Sequence, residues 1–363
     1  MWVADMDFRV APCILEALQE RVNHGIFGYT EIPSRWAKAY QNWWSKRHDF
    51  RIEEHWLVFC TGIVPALSSL VRKLTTPNES VLVQSPVYNC FFSSIKNNGT
   101  RVLCNELVYK NGEYEIDWAD FEKKLSDPQT TLFILCNPHN PIGKIWKKTE
   151  LARMGELCAK HGVTVISDEI HCDLTEPNLS YTPFASASEI CENIGISCIS
   201  PTKAFNIAGL NTAAVFAKNK FLRHKAYRAF NTDEIAEPNA FAVTATIAAY
   251  EKGSEWLDEL RVYLSENKKI VRDNSVQAGL TADWTRATFI VRVSHLQKLK
   301  DFAYTERVPI KEALDVALER FLQDQHNLLS HDKERHGGEI LRIDGEKTYT
   351  VKEVAERQGF MVK

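Results

Sequence analysis

The sequence has little of what several specialised protein classes need. No apolar run approaches the ~20 residues of a membrane span; among the longest are residues 131–136 and 163–166. The opening Met1-Trp2-Val3-Ala4-Asp5-Met6-Asp7 carries acids where a signal peptide would carry bases and an apolar stretch, so a cytoplasmic protein is expected. None of the nine cysteines forms a CxxC pair, which excludes zinc ribbons and thioredoxin-like motifs and predicts no metal site. Cysteine is absent after Cys198, and Pro309 is the only proline after Pro238, so the two ends differ in composition. A net charge of −3 gives no general attraction to nucleic acid or anionic membranes. There is no internal repeat and no low-complexity tract.

What is present is a chain of 363 residues, 44% hydrophobic, long enough for two or three domains with a real core. Strand-like segments alternate with helical ones. Strands are expected at 56–60, 81–83, 101–107, 131–136, 163–167, 194–200 and 212–217; helices are expected at 65–74 and 149–161 among others. This alternation predicts an α/β fold, a mainly parallel sheet with helices on both faces. Ligands in such folds sit outside the carboxyl ends of the strands. Tyr88, Asn137, Asn140, Asp168, His171 and residues 200–203 all fall there.

Taken singly, each group has two readings. Lys203 just past a strand could be taken out of water as a Schiff-base lysine, or could be a surface lysine in a loop. Asp168 could pair with a protonated ring nitrogen or cap a helix. Asn137-Pro138-His139-Asn140-Pro141-Ile142-Gly143 is a turn-rich loop whose amides could donate to a ligand. Thr61-Gly62-Ile63-Val64-Pro65 opens a helix, where free N–H groups suit a phosphate, or is an ordinary turn.

Together, in this order, these motifs resemble the fold-type I pyridoxal-phosphate (PLP) enzymes of the aminotransferase class I/II superfamily. The likeness is greatest to the MalY/PatB cystathionine β-lyase group. It is carried by Trp2 to Phe8, Gly28-Tyr29-Thr30, Ser85-Pro86-Val87-Tyr88, the 137–143 loop, Ser167-Asp168-Glu169-Ile170-His171-Cys172-Asp173-Leu174, and Thr202-Lys203-Ala204-Phe205-Asn206-Ile207-Ala208-Gly209-Leu210. The resemblance implies that Lys203 is the catalytic, Schiff-base lysine. It implies Asp168 on the pyridine nitrogen, Tyr88 on the ring face, and Asn140 on the ring oxygen with His171 nearby. Backbone groups of Gly62, Ile63 and Val64, with the Ser200 and Thr202 hydroxyls, would hold the phosphate, and Tyr29 would reach the phosphate of a partner subunit in a homodimer. The implied reaction is α,β-elimination from cystathionine or another cysteine S-conjugate, giving pyruvate, ammonia and a thiol. Amino-group transfer is the neighbouring alternative.

The resemblance covers residues 1–275, with a large domain over about 25–250 and connecting helices to 275. It also implies a segment ahead of the Trp2 motif, and a small C-terminal domain supplying a carboxylate-binding arginine. That domain is expected to be incomplete or replaced here, because residues 276–363 lack the pattern and Arg292 comes too early to be that arginine. Residues 286–325 read as one strand and two short helices, which resembles a ribbon-helix-helix DNA-binding or dimerising segment or, equally, a generic fragment of the small domain. The charge is balanced over 285–363, with fourteen Lys+Arg against thirteen Asp+Glu, a weak footprint for DNA. Residues 348–359 read as the first half of a helix-turn-helix. A non-catalytic, truncated lyase with such a tail is the third functional alternative.

Overall fold

The computed structural model describes residues 5–6, 9–110, 112–277, 340–343 and 347–350. The chain divides into two units, Met1–Thr288 and Phe289–Lys363. The strands are β1 (Leu57–Cys60), β2 (Ser80–Ser85), β3 (Arg101–Glu106), β4 (Val108–Lys110), β5 (Glu113–Glu115), β6 (Thr130–Cys136), β7 (Thr164–Asp168), β8 (Gly195–Ile199) and β9 (Ala213–Phe216) in the first unit. The second unit holds β10 (Ile340–Ile343) and β11 (Lys347–Thr350). The helices are α1 (Pro12–His24), α2 (Ser34–His48), α3 (Ile63–Leu74), α4 (Asn89–Lys96), α5 (Trp118–Leu125), α6 (Lys148–Lys160), α7 (Phe184–Ala187), α8 (Glu189–Ile194), α9 (Lys220–Thr232), α10 (Ala242–Lys252) and α11 (Ser254–Gln277).

Seven strands form one sheet in the order β1-β9-β8-β7-β6-β2-β3. All run parallel except β9, which pairs antiparallel with both β8 and β1. β6, β7 and β8 are buried at nearly every position, which is why they read as continuous apolar runs rather than alternating ones. Their side chains alternate between two cores. Val81, Val83, Leu132, Ile134, Ile166 and Ile196 pack with Leu67, Leu70, Phe91 and Phe230 from α3, α4 and α9. Leu82, Phe133, Leu135 and Val165 pack on the other face with Phe121, Leu151, Met154 and Phe184.

A third cluster joins α2 and α10 to the turn after β8. Trp36, Ala39, Tyr40, Trp43 and Trp44 recur at helical spacing on α2, and all are buried. Trp43 packs against Phe205 at 5.7 Å between ring centroids and stacks on Tyr250 at 4.9 Å. Its indole N–H donates to both oxygens of Asp173 at 3.1 Å, and Asp173 also pairs with His48 at 3.0 Å. This apolar wall fixes the backbone on which Lys203 stands, two residues before Phe205.

In the second unit, β10 and β11 pair antiparallel, from Ile340 opposite Thr350 to Ile343 opposite Lys347. The helix-turn-helix expectation over 348–359 is therefore corrected at its start: Thr348, Tyr349 and Thr350 lie in a strand, as their β-branched and aromatic side chains favour. The strand-helix-helix expectation at 286–325 lies outside the described residues. Among the described residues, no helix is long and apolar enough to cross a membrane, and none of the nine cysteines is in a disulfide.

Candidate active site

The carboxyl ends of the central strands are level with one another. Cys136 at the end of β6 pairs with Asp168 at the end of β7, and Asp168 pairs with Cys198 on β8. The chain leaves this edge through two backbone bonds, Asn137 N–H to the Asp168 carbonyl and Glu169 N–H to the Cys198 carbonyl, both 2.9 Å. Period-two alternation places the Asp168 side chain on the same face as Ile166, the face packed by α3, α4 and α9.

Asp168 is 5% exposed, and its carboxyl accepts the Ile170 N–H at 3.2 Å. Burial pushes its pKa up to about 7; the neighbouring Glu169 charge adds to that, while the Ile170 N–H and Lys203 oppose it. Lys203 is half-buried in the turn after β8 and interacts electrostatically with Asp168. Tyr88 caps the start of α4 and is also coupled to Asp168 and Cys136. Burial is the main cause that drives its hydroxyl pKa upward, with Cys90, Asp168 and Cys136 adding to it. Lys203 and Tyr88, far apart in sequence, are thus both within electrostatic reach of Asp168.

The two Pro-containing loops are fastened together around this point. The His139 ring donates Nε2–H to the Pro86 carbonyl at 2.9 Å, and it lies nearly perpendicular to the Trp146 ring with centroids 5.5 Å apart. Trp146 donates to the Cys136 carbonyl at 2.9 Å. Asn140 is half-buried, with its N–H on the Cys136 sulfur at 3.2 Å. Three cis peptides, Ser85–Pro86, Asn137–Pro138 and Asn140–Pro141, lie in these loops. His171 is half-buried, and its carbonyl accepts the Leu174 N–H at 3.1 Å.

Gly62 precedes α3, and no side chain caps that helix. The N–H groups of Ile63 and Val64 are first-turn donors with no partner inside the helix, and Pro65 has none to offer. The Gly62 φ of 170° is extended backbone that any residue adopts. A Cβ there would meet nothing closer than Pro65 at 3.4 Å. Neither backbone conformation nor packing within the chain calls for glycine, and the space before the helix end is open. Below the lysine, the Ser200 hydroxyl donates to the Thr212 carbonyl at 2.7 Å and accepts the Thr202 N–H at 3.1 Å. The Thr202 hydroxyl, 2.8 Å away, is then the donor of that pair. Ser200 is a strut with its one proton committed, while the Thr202 proton can turn to a ligand.

Tyr29 stands apart, fully exposed. Two contributors lie within the motifs quoted above, which gave them no role. Asn206, in a left-handed conformation with φ 56°, binds the Met6 backbone twice. Glu169 is buried and takes four hydrogen bonds. Neither position is marked by composition or spacing.

These residues fit a flat, phosphate-bearing ring with a basic nitrogen. A buried carboxyl could answer the nitrogen, the uncapped helix behind Gly62 the phosphate, an aromatic the ring face, and the Lys203 amine lies within electrostatic reach of that carboxyl. The chain matches the aminotransferase class I and II family over residues 3–331, a span that includes 286–325. It is 48% identical over 267 residues to cystathionine β-lyase PatB of Bacillus subtilis (strain 168), covering 74% of this chain and 69% of that protein. It is 34% identical over 288 residues to protein MalY of Escherichia coli (strain K12), covering 78% and 72%. Its fold matches a PLP-bound putative aminotransferase from Clostridium difficile 630 with a TM-score of 0.74 and 40% identity, covering 77% of this chain and 72% of that one.

Proposed function

Because the chain belongs to the aminotransferase class I and II family, and within it to the MalY/PatB cystathionine β-lyase group, we propose that the site at its strand ends cleaves the carbon–sulfur bond of cysteine S-conjugates. The protein is a PLP-dependent carbon–sulfur β-lyase. The observation that carries this reading is the convergence of Asp168, Lys203 and Tyr88 at one sheet edge.

When bound, the cofactor supplies an electron sink for the charge that develops at the substrate Cα. The chain's own residues do the rest. Lys203 is the covalent anchor, and its amine takes the Cα proton. The Cβ–S bond then breaks, sulfur leaves with the electron pair and receives a proton, and hydrolysis of the remaining fragment consumes water to give pyruvate and ammonia. Asp168, held dry, keeps the ring nitrogen protonated. Tyr88 would cover the ring face and Asn140 would donate to the ring oxygen, with His171 nearby. The Gly62, Ile63 and Val64 backbone and the Thr202 hydroxyl, steadied by Ser200, would hold the phosphate.

We further infer a homodimer. Val22, Ile26, Phe27 and Tyr29 are 54%, 66%, 53% and 100% exposed. This apolar run is suited to a second copy, to which Tyr29 would carry its hydroxyl. A cytoplasmic location agrees with nine cysteines outside disulfides.

The test is a product assay. Purified protein supplied with PLP and cystathionine should release pyruvate and thiol in equal amounts. Keto acid formed only when an amino-group acceptor is added, with no thiol, would instead make it an aminotransferase.

A further inference from the structure

Directly behind Asp168 lies a second carboxyl that the reaction does not use. Glu169 is 0% exposed. Its Oε1 accepts the Ser167 hydroxyl at 2.7 Å, the Phe184 N–H at 3.0 Å and the Ser197 hydroxyl at 3.3 Å, and its Oε2 accepts the Tyr181 hydroxyl. Ser167 and Ser197 are opposite one another across β7 and β8. Both point with Glu169 to the face away from Asp168, as alternation along a strand requires. A carboxylate is acceptor-only and has about four lone-pair positions, so this shell of four donors fits the ionised form. The backbone is pinned as well, with the Glu169 carbonyl accepting the Cys172 N–H at 3.0 Å.

Tyr181 in turn meets the His48 ring edge-on at 5.1 Å. The titratable groups facing Glu169 are thus Tyr181, His48, Cys172, Cys198 and Asp168. Those facing Asp168 are Lys203, Tyr88, Cys198 and Glu169. Two anions one residue apart, with little water between them, raise each other's hold on positive charge.

We propose that Glu169 is a positioning residue for the lyase reaction, a buried fixed anion that, through Asp168, keeps the cofactor ring nitrogen protonated. The proposal rests on the function given above. It separates two roles that the sequence places side by side: Asp168 would touch the ring, and Glu169 would set how strongly positive charge is held there. Consistent with this, the Glu169 charge is among the causes that lift the Asp168 carboxyl.

The experiment compares native and Glu169→Gln holoenzymes, the variant keeping the shape and losing the charge. Nitrogen-15 NMR of labelled PLP reads the protonation of the ring nitrogen against pH, beside titrated PLP affinity, kcat and KM. The expected result is a fall of about one unit in the midpoint of the ring-nitrogen titration. Weaker PLP binding and a kcat lowered about tenfold should accompany it, with KM little changed. A folded variant with the native midpoint overturns the proposal, even if its melting temperature drops, because that would be a purely structural effect. Should Glu169→Gln fail to fold, Tyr181→Phe removes one donor and makes Glu169 easier to neutralise. It is expected to move the midpoint the same way by less, and an unchanged midpoint overturns the idea. If the native protein takes up no PLP at all, the parent function falls and takes this inference with it. Native PLP binding with an indifferent variant sinks the inference alone.

Discussion

The side chain of Asn206 holds the backbone of Met6 from both sides, accepting its N–H at 3.1 Å and donating to its carbonyl at 2.8 Å. The two residues are 200 positions apart. The bond pair docks the opening of the described chain onto the turn that carries Lys203, three residues away. Asn206→Ala should cost roughly 1–3 kcal/mol of stability through two lost, partly buried bonds. It should also loosen the lysine turn, so kcat should fall more than PLP affinity. Urea unfolding with steady-state kinetics checks this; native kcat in a destabilised variant would confine the bond pair to folding.

If the proposed function holds, Lys203 binds the cofactor covalently. Native protein loaded with PLP and treated with borohydride should retain the cofactor through denaturation, and Lys203→Ala should release all of it. Mass spectrometry reads the outcome, and a cofactor fixed to the variant would move the anchor elsewhere.

Much of this site could be read from the sequence, for a physical reason. In a sheet buried on both faces, strands appear as short apolar runs, and the polar residues that end them mark the carboxyl edge of the sheet. Tyr88, Asn140, Asp168 and Lys203 could be picked out this way. What stayed hidden depended on pairings between distant segments. The reversal of β9 left no mark, because Ala213–Phe216 is equally apolar in either direction. Glu169 was overshadowed by Asp168, since its role depends on Ser197, Tyr181 and Phe184, none of which is unusual in its local context. Asn206 looked like one more loop amide until its partner was found across the chain.

Gly62 gives a sharp test of the phosphate cradle. Its φ of 170° and the 3.4 Å clearance to Pro65 allow a methyl group without strain. Gly62→Ala should therefore leave folding stability within about 0.5 kcal/mol of native. The methyl would intrude on the space before the Ile63 and Val64 N–H groups, so the Kd for PLP should rise about tenfold or more, some 1.4 kcal/mol. Pyridoxal without the phosphate should bind both proteins alike. Equal losses for the two ligands would mean that the glycine serves the ring or the fold instead.

Asp168 predicts a pH dependence of stability in the cofactor-free protein. Its pKa is about 7 in the folded chain against 3.8 for an ordinary aspartate, chiefly through burial. Between these values the folded state holds a proton that the unfolded state has lost. Where the unfolded state binds fewer protons, stability falls as pH rises. The contribution is thus fully present below pH 3.8 and is lost as pH passes through about 7. Asp168→Asn has no carboxyl to ionise, so its stability relative to native should increase over that window by on the order of a few kcal/mol. Subtracting the two urea-unfolding profiles cancels the titration of shared groups that are not coupled to Asp168, leaving Asp168 together with its coupled neighbour Glu169. PLP brings a positive ring nitrogen to the ionised carboxylate, so its stabilising effect should grow with pH more in the native protein than in the variant and shrink the difference between the two profiles. A difference profile that is flat without PLP would mean that the Asp168 carboxyl is solvated in the folded chain, and its pairing with the ring would then have to be reconsidered.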